Sequence, residues 1–373
     1  MFSSMWNFIK RHKKKFIFSG FLVGGGVYLY RYAQRKFKEI QEKEAAECLK
    51  HARQQHHFDS NQRTCNMTVI SMLPTLREAL IKKFDTDAVK ESLKTCPENK
   101  LELWEELKVI SLARIICVLY GCSILCLVLR VQLNIVGGYM FLDSMFNRNG
   151  MTQNMAVVPK ELQERYLSLI RHFMDHGLLE LCDLIHGAVE KEVWSVSLKE
   201  RLCFHNLKAI TGQIRERIES SPEISDLQSP TLMLCSYMLP SEGHTSTVSN
   251  TENAEERMYH QLVQETRDVL ESPDFHAVLH TCLDRGFAKL LDSLADHYRQ
   301  TASDQHQNLH EVGIPMAKLI PVISGLLFKL CSDTPNPLIQ ELLLLDQAKT
   351  LAANIYEAFS QQEELASGVD QKT

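Results

Sequence analysis

The chain has 373 residues, of which 45% are hydrophobic and 23% are charged, so it is ordinary for a globular protein with one large core or two smaller ones. Its net charge of −5 gives no basis for binding nucleic acid. Eleven cysteines without regular spacing, several of them in apolar stretches, are typical of reduced thiols in a cytosolic protein.

A basic segment followed by an apolar run opens the chain. The cations of this segment are Lys10, Arg11, Lys13, Lys14 and Lys15. Fifteen uncharged residues follow, and as a helix they would rise roughly 22 Å, short of the roughly 30 Å hydrocarbon core. Because flanking cations can snorkel and tyrosines suit the interface, we expect a transmembrane anchor over residues 16–33, Phe16 to Ala33, behind a basic N-terminus at residues 1–15.

Two other interpretations of this N-terminus stay open. A basic region before a short apolar run also describes a cleaved secretory signal, although no small-residue cleavage site follows the run. The run is also compatible with a buried or interfacial helix. Basic residues on both flanks leave the orientation of an anchor undecided.

Helical patterns continue from the anchor. Residues 35–58 form a charged helix, and residues 67–84 carry apolar side chains at helical spacing. Asp85 is placed to cap a short helix that ends near Lys94, and Pro97 to open the next helix.

The longest apolar pattern begins at Leu101. Its segment Ile115 to Leu142 is interpreted either as a second membrane span or as the central helix of a bundle, because both are apolar all round. Arg114, Arg130 and Gln132 interrupt the pattern and favour the buried helix.

The remainder of the chain alternates helices with polar loops. Helices are predicted at 159–176, 178–194, 198–220, 254–270, 273–298, 314–331 and 337–359. Surface loops are predicted at about 147–158, 221–253 and 299–313, and a flexible tail at 361–373. We therefore predict an all-α fold, with residues 34–360 forming one large elongated helical-bundle domain behind the anchor.

Catalytic and metal-binding motifs are missing from the sequence. It has no phosphate-binding glycine loop, no HExxH and no paired CxxC. His51, His56 and His57 lie on one charged helix and are expected to be solvated. Cys122 and Cys126 share a helical face but are expected to pack. The sequence thus predicts no catalytic residue, no metal and no cofactor.

Trp104 lies near the start of the long apolar helix. Lys100 is one turn before it, Lys108 is one turn after it, and Leu107 is within reach. The more frequent role of such a tryptophan is core packing. The alternative is a binding hot spot, in which the indole anchors an amphipathic partner helix and the lysines attract acidic residues.

Several segments in order along the chain resemble the third-peroxin family of peroxisomal biogenesis factors. They are residues 100–108 (KLELWEELK), 129–139 (LRVQLNIVGGY), 270–275 (LESPDF), 282–287 (CLDRGF), 317–321 (AKLIP) and 353–359 (ANIYEAF), together with the N-terminal anchor. No single segment is decisive, but together they span nearly the whole chain.

The resemblance implies an integral peroxisomal membrane protein whose body faces the cytosol, with passage through the endoplasmic reticulum as one route of insertion. Such a protein is a docking receptor for the nineteenth peroxin, the soluble chaperone that delivers peroxisomal membrane proteins. The partner's N-terminal amphipathic helix would lie in a groove at the end of the body away from the membrane.

The resemblance also implies the site residues. Trp104 would be the central contact, surrounded by Lys100, Leu107, Lys108, Leu93 and Lys318. The segment Tyr120 to Val136 is tied to partner binding more weakly and is expected to be mainly structural. The basic N-terminus and the anchor would target the protein to the peroxisome and contact membrane lipid.

Two readings compete with the docking receptor. One is a membrane-bound helical enzyme that acts on a lipid-derived substrate; no sequence motif supports this hypothesis. The other is a protein with two membrane spans, of which Ile115 to Leu142 is the second.

Overall fold

The computed structural model describes residues 13–95, 98–148, 158–220, 236–240, 254–305, 312–332 and 336–361. The chain divides into two compact units, Met1–His57 and Phe58–Thr373. The predicted targeting residues Lys10 and Arg11 lie outside the described residues, as do most of the predicted loops 147–158 and 221–253 and of the predicted tail.

The first helix, α1, extends from Lys13 to Lys83. It joins the two helices that the sequence predicts on either side of residues 59–66. The intervening polar residues, which belong to the second unit, stay helical because their side chains are hydrogen-bonded within that unit. Asn61 donates to the Leu133 carbonyl oxygen at 2.9 Å, and Gln62 donates to Asn134 Oδ1 at 2.7 Å. Tertiary bonds thus outweigh the low helix propensity of the segment.

Helices also dominate the rest of the described chain. They are α2 (Thr86–Thr95), α3 (Lys100–Arg148), α4 (Lys160–Leu167), α5 (Ile170–His172), α6 (Leu178–Val193), α7 (Phe204–Glu219), α8 (Ala254–Leu270), α9 (Pro273–Gln305), α10 (Met316–Leu330), α11 (Pro337–Leu344) and α12 (Asp346–Ser360). A π-helical turn, Phe173–Gly177, joins α5 to α6. The predicted all-α helical bundle is confirmed.

Helix α3 forms the centre of the second unit. It packs against α2, α6, α8, α9, α10 and α12. Among the residues whose side chains the structure describes, the helix Lys100–Met145 alone is long and apolar enough to cross a membrane, and its most apolar window is entirely buried in the body. Burial on all sides explains why this helix lacks an exposed polar face. The structure therefore supports the buried-core interpretation of Ile115 to Leu142.

Several predicted boundaries were wrong. Helix α3 continues through residues 147–148, and α9 continues through residues 299–305, where Ala302 is buried and Thr301 Oγ1 donates to the His297 carbonyl oxygen at 2.9 Å. The single helix predicted over 337–359 is two helices, because Leu345 is extended with ψ at 123°. Within the predicted surface loop 221–253, Tyr237, Met238 and Leu239 are buried.

The two strands of the described chain are short and were not predicted. Strand β1 (Arg201–Leu202) pairs antiparallel with β2 (Ile314–Pro315). These residues were assigned to the beginnings of two helices. The strands instead precede α7 and α10, and their pairing fixes the start of α10 beside the segment that follows α6.

The junction between α1 and α2 is held by an N-cap, as the sequence predicts. Asp85 Oδ1 accepts hydrogen bonds from the backbone N–H groups of Asp87 at 3.1 Å and Ala88 at 2.9 Å. The cap satisfies donors that the first turn of a helix otherwise leaves unpaired. It also fixes α2 next to the first turns of α3, where the candidate site lies.

Candidate partner-binding cleft

A cleft of about 500 Å³ opens beside Trp104. Its walls come from the end of α1, from α2, from the first turns of α3 and from α10. The lining residues are Ile81, Thr86, Asp87, Lys90, Leu93, Trp104, Leu107, Arg114, Ile320, Pro321, Ser324, Gly325 and Phe328. The predicted site consists of Trp104 and five residues around it. Three of these six residues line one cleft, namely Leu93, Trp104 and Leu107.

Helical spacing explains how α3 presents these side chains. Trp104 and Leu107 lie three residues apart and so share one face of the helix. Trp104 is half-buried, and Leu107 is buried beneath it. The indole is thus supported from below by the core while one part of it remains open to the cleft.

The opposite wall belongs to α10. Ile320 is buried, whereas the Phe328 side chain is 60% exposed. A Cβ added at Gly325 would meet no atom within 4 Å, so the wall has open space at this position. An exposed phenylalanine and a half-buried indole that line one cleft form an apolar surface that is not covered within the described chain.

A buried arginine ties the walls of the cleft together. Arg114, 4% exposed, donates to Thr86 Oγ1 at 3.0 Å and to Ser324 Oγ at 2.9 Å. Thr86 begins α2 and Ser324 lies in α10, so one guanidinium from α3 connects both. Burial lowers the pKa of Arg114, but an arginine keeps its charge in the whole physiological range.

The mouth of the cleft carries an ion pair. Lys90 Nζ lies 2.8 Å from Asp87 Oδ1, and both side chains are largely exposed. The hydrogen bond and the charge of Lys90 lower the pKa of the Asp87 carboxyl, with a smaller contribution from Arg114. The pair leaves the mouth close to neutral.

Two further cations lie at the margin. Lys100 and Lys318 are both exposed and are not part of the lining. Lys100 is the first residue of α3 and precedes Trp104 by four residues, while Lys318 precedes Pro321 by three, so each shares a helical face with a lining residue. Their long side chains are placed to reach the rim of the cleft, and their contact with a partner stays a prediction.

Lys108 does not line the Trp104 cleft. Its side chain is 1% exposed, and Nζ donates to the backbone carbonyl oxygens of Val193 at 2.9 Å and Val196 at 2.8 Å. It also pairs with Glu105 at 2.5 Å. The ammonium therefore bonds to the C-terminal end of α6, where a cation is favourable. This geometry gives no support to the prediction that Lys108 attracts acidic residues of a partner.

The segment Tyr120 to Val136 is part of α3 and is buried in the protein core along its whole length. It offers no surface to a partner in this structure. The expectation that this segment is mainly structural agrees with the geometry, whereas its link to partner binding stays a prediction from the resemblance.

Sequence reasoning missed most of the opposite wall. Pro321, Gly325 and Phe328 of α10 line the cleft although they lie more than 200 residues after Trp104 in the chain. In the sequence, Arg114 stands out only as an interruption of an apolar pattern. Helical periodicity reports which face of α10 is apolar but not which helix packs against it.

The described residues contain no group of three or more His, Cys, Asp or Glu side chains that could hold a metal ion. Burial disfavours the thiolate and raises the pKa of Cys65 to about 11 and that of Cys282 to about 12. These thiols are therefore protonated packing groups at neutral pH, and the apolar cleft remains the best candidate for a functional site.

The fold and the cleft define an all-α helical-bundle protein with an open, largely apolar cleft. The family model for Peroxin-3 matches residues 7–100 and 94–358, which is most of the sequence. The chain belongs to the Peroxin-3 family.

Similar proteins agree with this assignment. The chain is 48% identical over 375 residues to Peroxisomal biogenesis factor 3 of Bos taurus, covering 98% of this chain and 100% of that protein. It is 46% identical over 376 residues to Peroxisomal biogenesis factor 3 of Homo sapiens, with the same coverage. Peroxisome biogenesis protein 3-1 of Arabidopsis thaliana is 23% identical over 330 residues, 84% of this chain and 87% of that protein.

Proposed function

We propose that this protein acts in peroxisome biogenesis as a membrane-anchored docking receptor for the nineteenth peroxin, whose N-terminal amphipathic helix binds in the Trp104 cleft. The observation that carries the proposal is the half-open indole of Trp104 over buried Leu107, facing the exposed Phe328 across a largely apolar cleft. Binding, rather than turnover, is what such a surface can do.

The dimensions and charges of the cleft favour a helical ligand with an apolar stripe. A helix presents apolar side chains at i, i+3, i+4 and i+7, and the cleft accepts them along a wall of α2, α3 and α10. Lys100 and Lys318 are free of any ion pair within the described ranges, so they are available to acidic residues on the flanks of the helix. Such rim charges affect the association rate more than the affinity.

Rigid walls support tight binding. Arg114 connects α2, α3 and α10 below the indole, and the Asp85 cap fixes the start of α2. A cleft that is already formed avoids the free-energy cost of ordering its walls when the ligand binds.

The N-terminus supplies the proposed attachment. Helix α1 begins at Lys13 and includes the predicted anchor Phe16 to Ala33, whose uncharged run ends at Tyr30 and is flanked by Lys14 and Lys15 on one side and Arg31 on the other. We place this run in the peroxisomal membrane, with the bulk of the chain in the cytosol. The basic residues before it would contact lipid headgroups and direct targeting.

The docking proposal is tested by filling the cleft. Gly325→Phe introduces a ring into open space on the α10 wall, so the fold should persist while the ligand is excluded. Gly212→Phe is the matched control, because Gly212 of α7 also has no atom within 4 Å of an added Cβ and lies outside the cleft. Calorimetry with the partner's N-terminal helix should show binding to the control and little binding to Gly325→Phe.

Equal affinity of both variants for the helix would refute the docking site. Attachment is tested separately, by deleting residues 1–33 and by protease protection on isolated organelles with a tag at each end. A remainder that is monodisperse without detergent, and a C-terminal tag that is digested on intact organelles, are the expected results. A protected C-terminal tag would contradict the cytosolic orientation.

A further inference from the structure

A second cleft, of about 510 Å³, lies between the first turns of α3 and the last turns of α6. We call it the α3–α6 cleft; it is lined by Leu101, Glu102, Glu105, Glu106, Lys108, Val109, His186, Glu190 and Trp194. It occupies a different face of α3 from Trp104 and Leu107, and none of its lining residues lines the first cleft.

The α3–α6 cleft is acidic. Its four carboxylates face one ammonium, that of Lys108, which is buried and already pairs with Glu105. Within the described part of the chain, Glu102, Glu106 and Glu190 form no ion pair. The cleft therefore carries an uncompensated negative charge.

The helix dipole explains only part of this charge. Glu102 lies in the first turn of α3, where a carboxylate stabilises the helix. Glu190 lies in the last turn of α6, which ends at Val193, and there a carboxylate is unfavourable. The helix dipole therefore does not account for Glu190, whereas an interaction with a ligand in the cleft would.

An exposed tryptophan lies at the edge of the same cleft. Trp194 is 82% exposed and Leu101, on the facing helix, is 69% exposed. His186 and Glu190 precede Trp194 at intervals of four residues, so the three share one face of α6. Tryptophan is enriched at binding hot spots, and its ring face attracts Lys and Arg cations.

We propose that the α3–α6 cleft is a second docking surface, which binds a basic amphipathic helix of a partner protein. The apolar face of that helix would cover Trp194 and Leu101, and its Lys or Arg side chains would pair with Glu102, Glu106 and Glu190. The charge of this surface is opposite to that of the Lys100 and Lys318 rim of the first cleft, so the two surfaces select different ligands.

Charge complementarity decides between the candidate occupants. An anionic lipid surface would be repelled by the carboxylates, whereas a helix with cations beside an apolar stripe matches both parts of the surface. The proposal does not depend on the docking role of the Trp104 cleft, because no lining residue is shared.

The test uses the full-length protein in an uncharged detergent and two labelled helical peptides of about five turns. Both peptides carry the same leucine face, and their polar faces consist of lysine in one and glutamate in the other. We expect the lysine peptide to bind and the glutamate peptide to bind at least about tenfold more weakly, by fluorescence anisotropy. Trp194→Ala should weaken binding of the lysine peptide by about tenfold. Because the Trp194 side chain is mostly exposed, the fold should persist.

The double variant Glu106→Lys/Glu190→Lys should reverse the preference between the two peptides. Trp104→Ala is the control and should leave the affinity of the lysine peptide unchanged, which separates this surface from the first cleft. The proposal is overturned if the lysine peptide fails to bind below about 100 µM, if Trp194→Ala has no effect, or if Trp104→Ala removes the binding. A concentration-dependent dimer that Trp194→Ala abolishes in sedimentation would assign the cleft to a second copy of the chain and would also overturn it.

Discussion

Replacing Trp104 by alanine tests the docking proposal at its centre. The indole is half-buried in the free protein, above Leu107 and between α2 and α10. The substitution removes the largest apolar side chain of the α3 wall and leaves the backbone of α3 unaffected, because alanine is the best helix former.

The expected loss of affinity follows from the area that binding would cover. A tryptophan side chain can bury about 150–250 Å² in total, and Trp104 keeps roughly a quarter to a third of it open, so about 60 Å² is left for a ligand to cover. The ligand loses a similar area of its own apolar surface, and about 120 Å² at about 25 cal/mol/Å² gives about 3 kcal/mol. This corresponds to a weakening of the order of 100-fold.

Calorimetry with the N-terminal helix of the nineteenth peroxin measures this loss directly. The variant must keep its helical circular dichroism and its thermal unfolding midpoint within a few degrees, because the buried half of the indole also contributes to stability. Trp194→Ala is the matched control, since it removes the same side chain from a different surface. A Trp104→Ala protein that binds the helix as tightly as the control does would refute the reasoning.

Three further predictions concern stability and are measured by denaturant unfolding of the chain. Lys108→Met should lower the free energy of unfolding by about 2 kcal/mol, because it leaves the carbonyl groups of Val193 and Val196 without their charged donor; an unchanged midpoint would show that the buried ammonium is dispensable. Gly177→Ala should be strongly destabilising, because its Cβ would lie 1.8 Å from the Tyr237 carbonyl oxygen, whereas Gly187→Ala in α6 meets no neighbour within 4 Å and should stabilise by about 0.5–1 kcal/mol; equal effects would contradict the packing at Gly177. Asp85→Ala should cost about 1 kcal/mol by removing the N-cap of α2, and Asp85→Asn, which retains an acceptor, should recover most of it.

Local chemistry made much of the fold predictable. The cap at Asp85 follows from the preference of aspartate for helix N-termini, and the central position of α3 follows from a pattern that is apolar all round. Helix ends were less predictable where a tertiary contact decides them. At residues 299–305 the burial of Ala302 keeps the chain helical through polar residues that suggest a loop.

The candidate site was predictable on one wall only. Trp104 and Leu107 share a helical face by spacing, so their proximity is a local property. The wall formed by α10 depends on the packing of helices distant in sequence, for which the amphipathic pattern carries no information. Lys108 shows the same limit, because a lysine one turn after a tryptophan suggests a solvated cation, whereas its acceptors are 85 and 88 residues away.

The buried cations of α3 explain how one helix can form walls of two clefts. Lys108 bonds to the carbonyl groups at the end of α6, and Arg114 bonds to the start of α2 and to α10. Each bond fixes the rotation of α3 relative to a neighbouring helix, because a charged donor that lost its buried acceptors would be left uncompensated in the core. This rotation directs Trp104 toward the apolar cleft and Leu101 toward the acidic one. The orientation of both proposed binding surfaces therefore depends on polar contacts inside the protein, and side chains that never touch a ligand determine which surface a ligand meets.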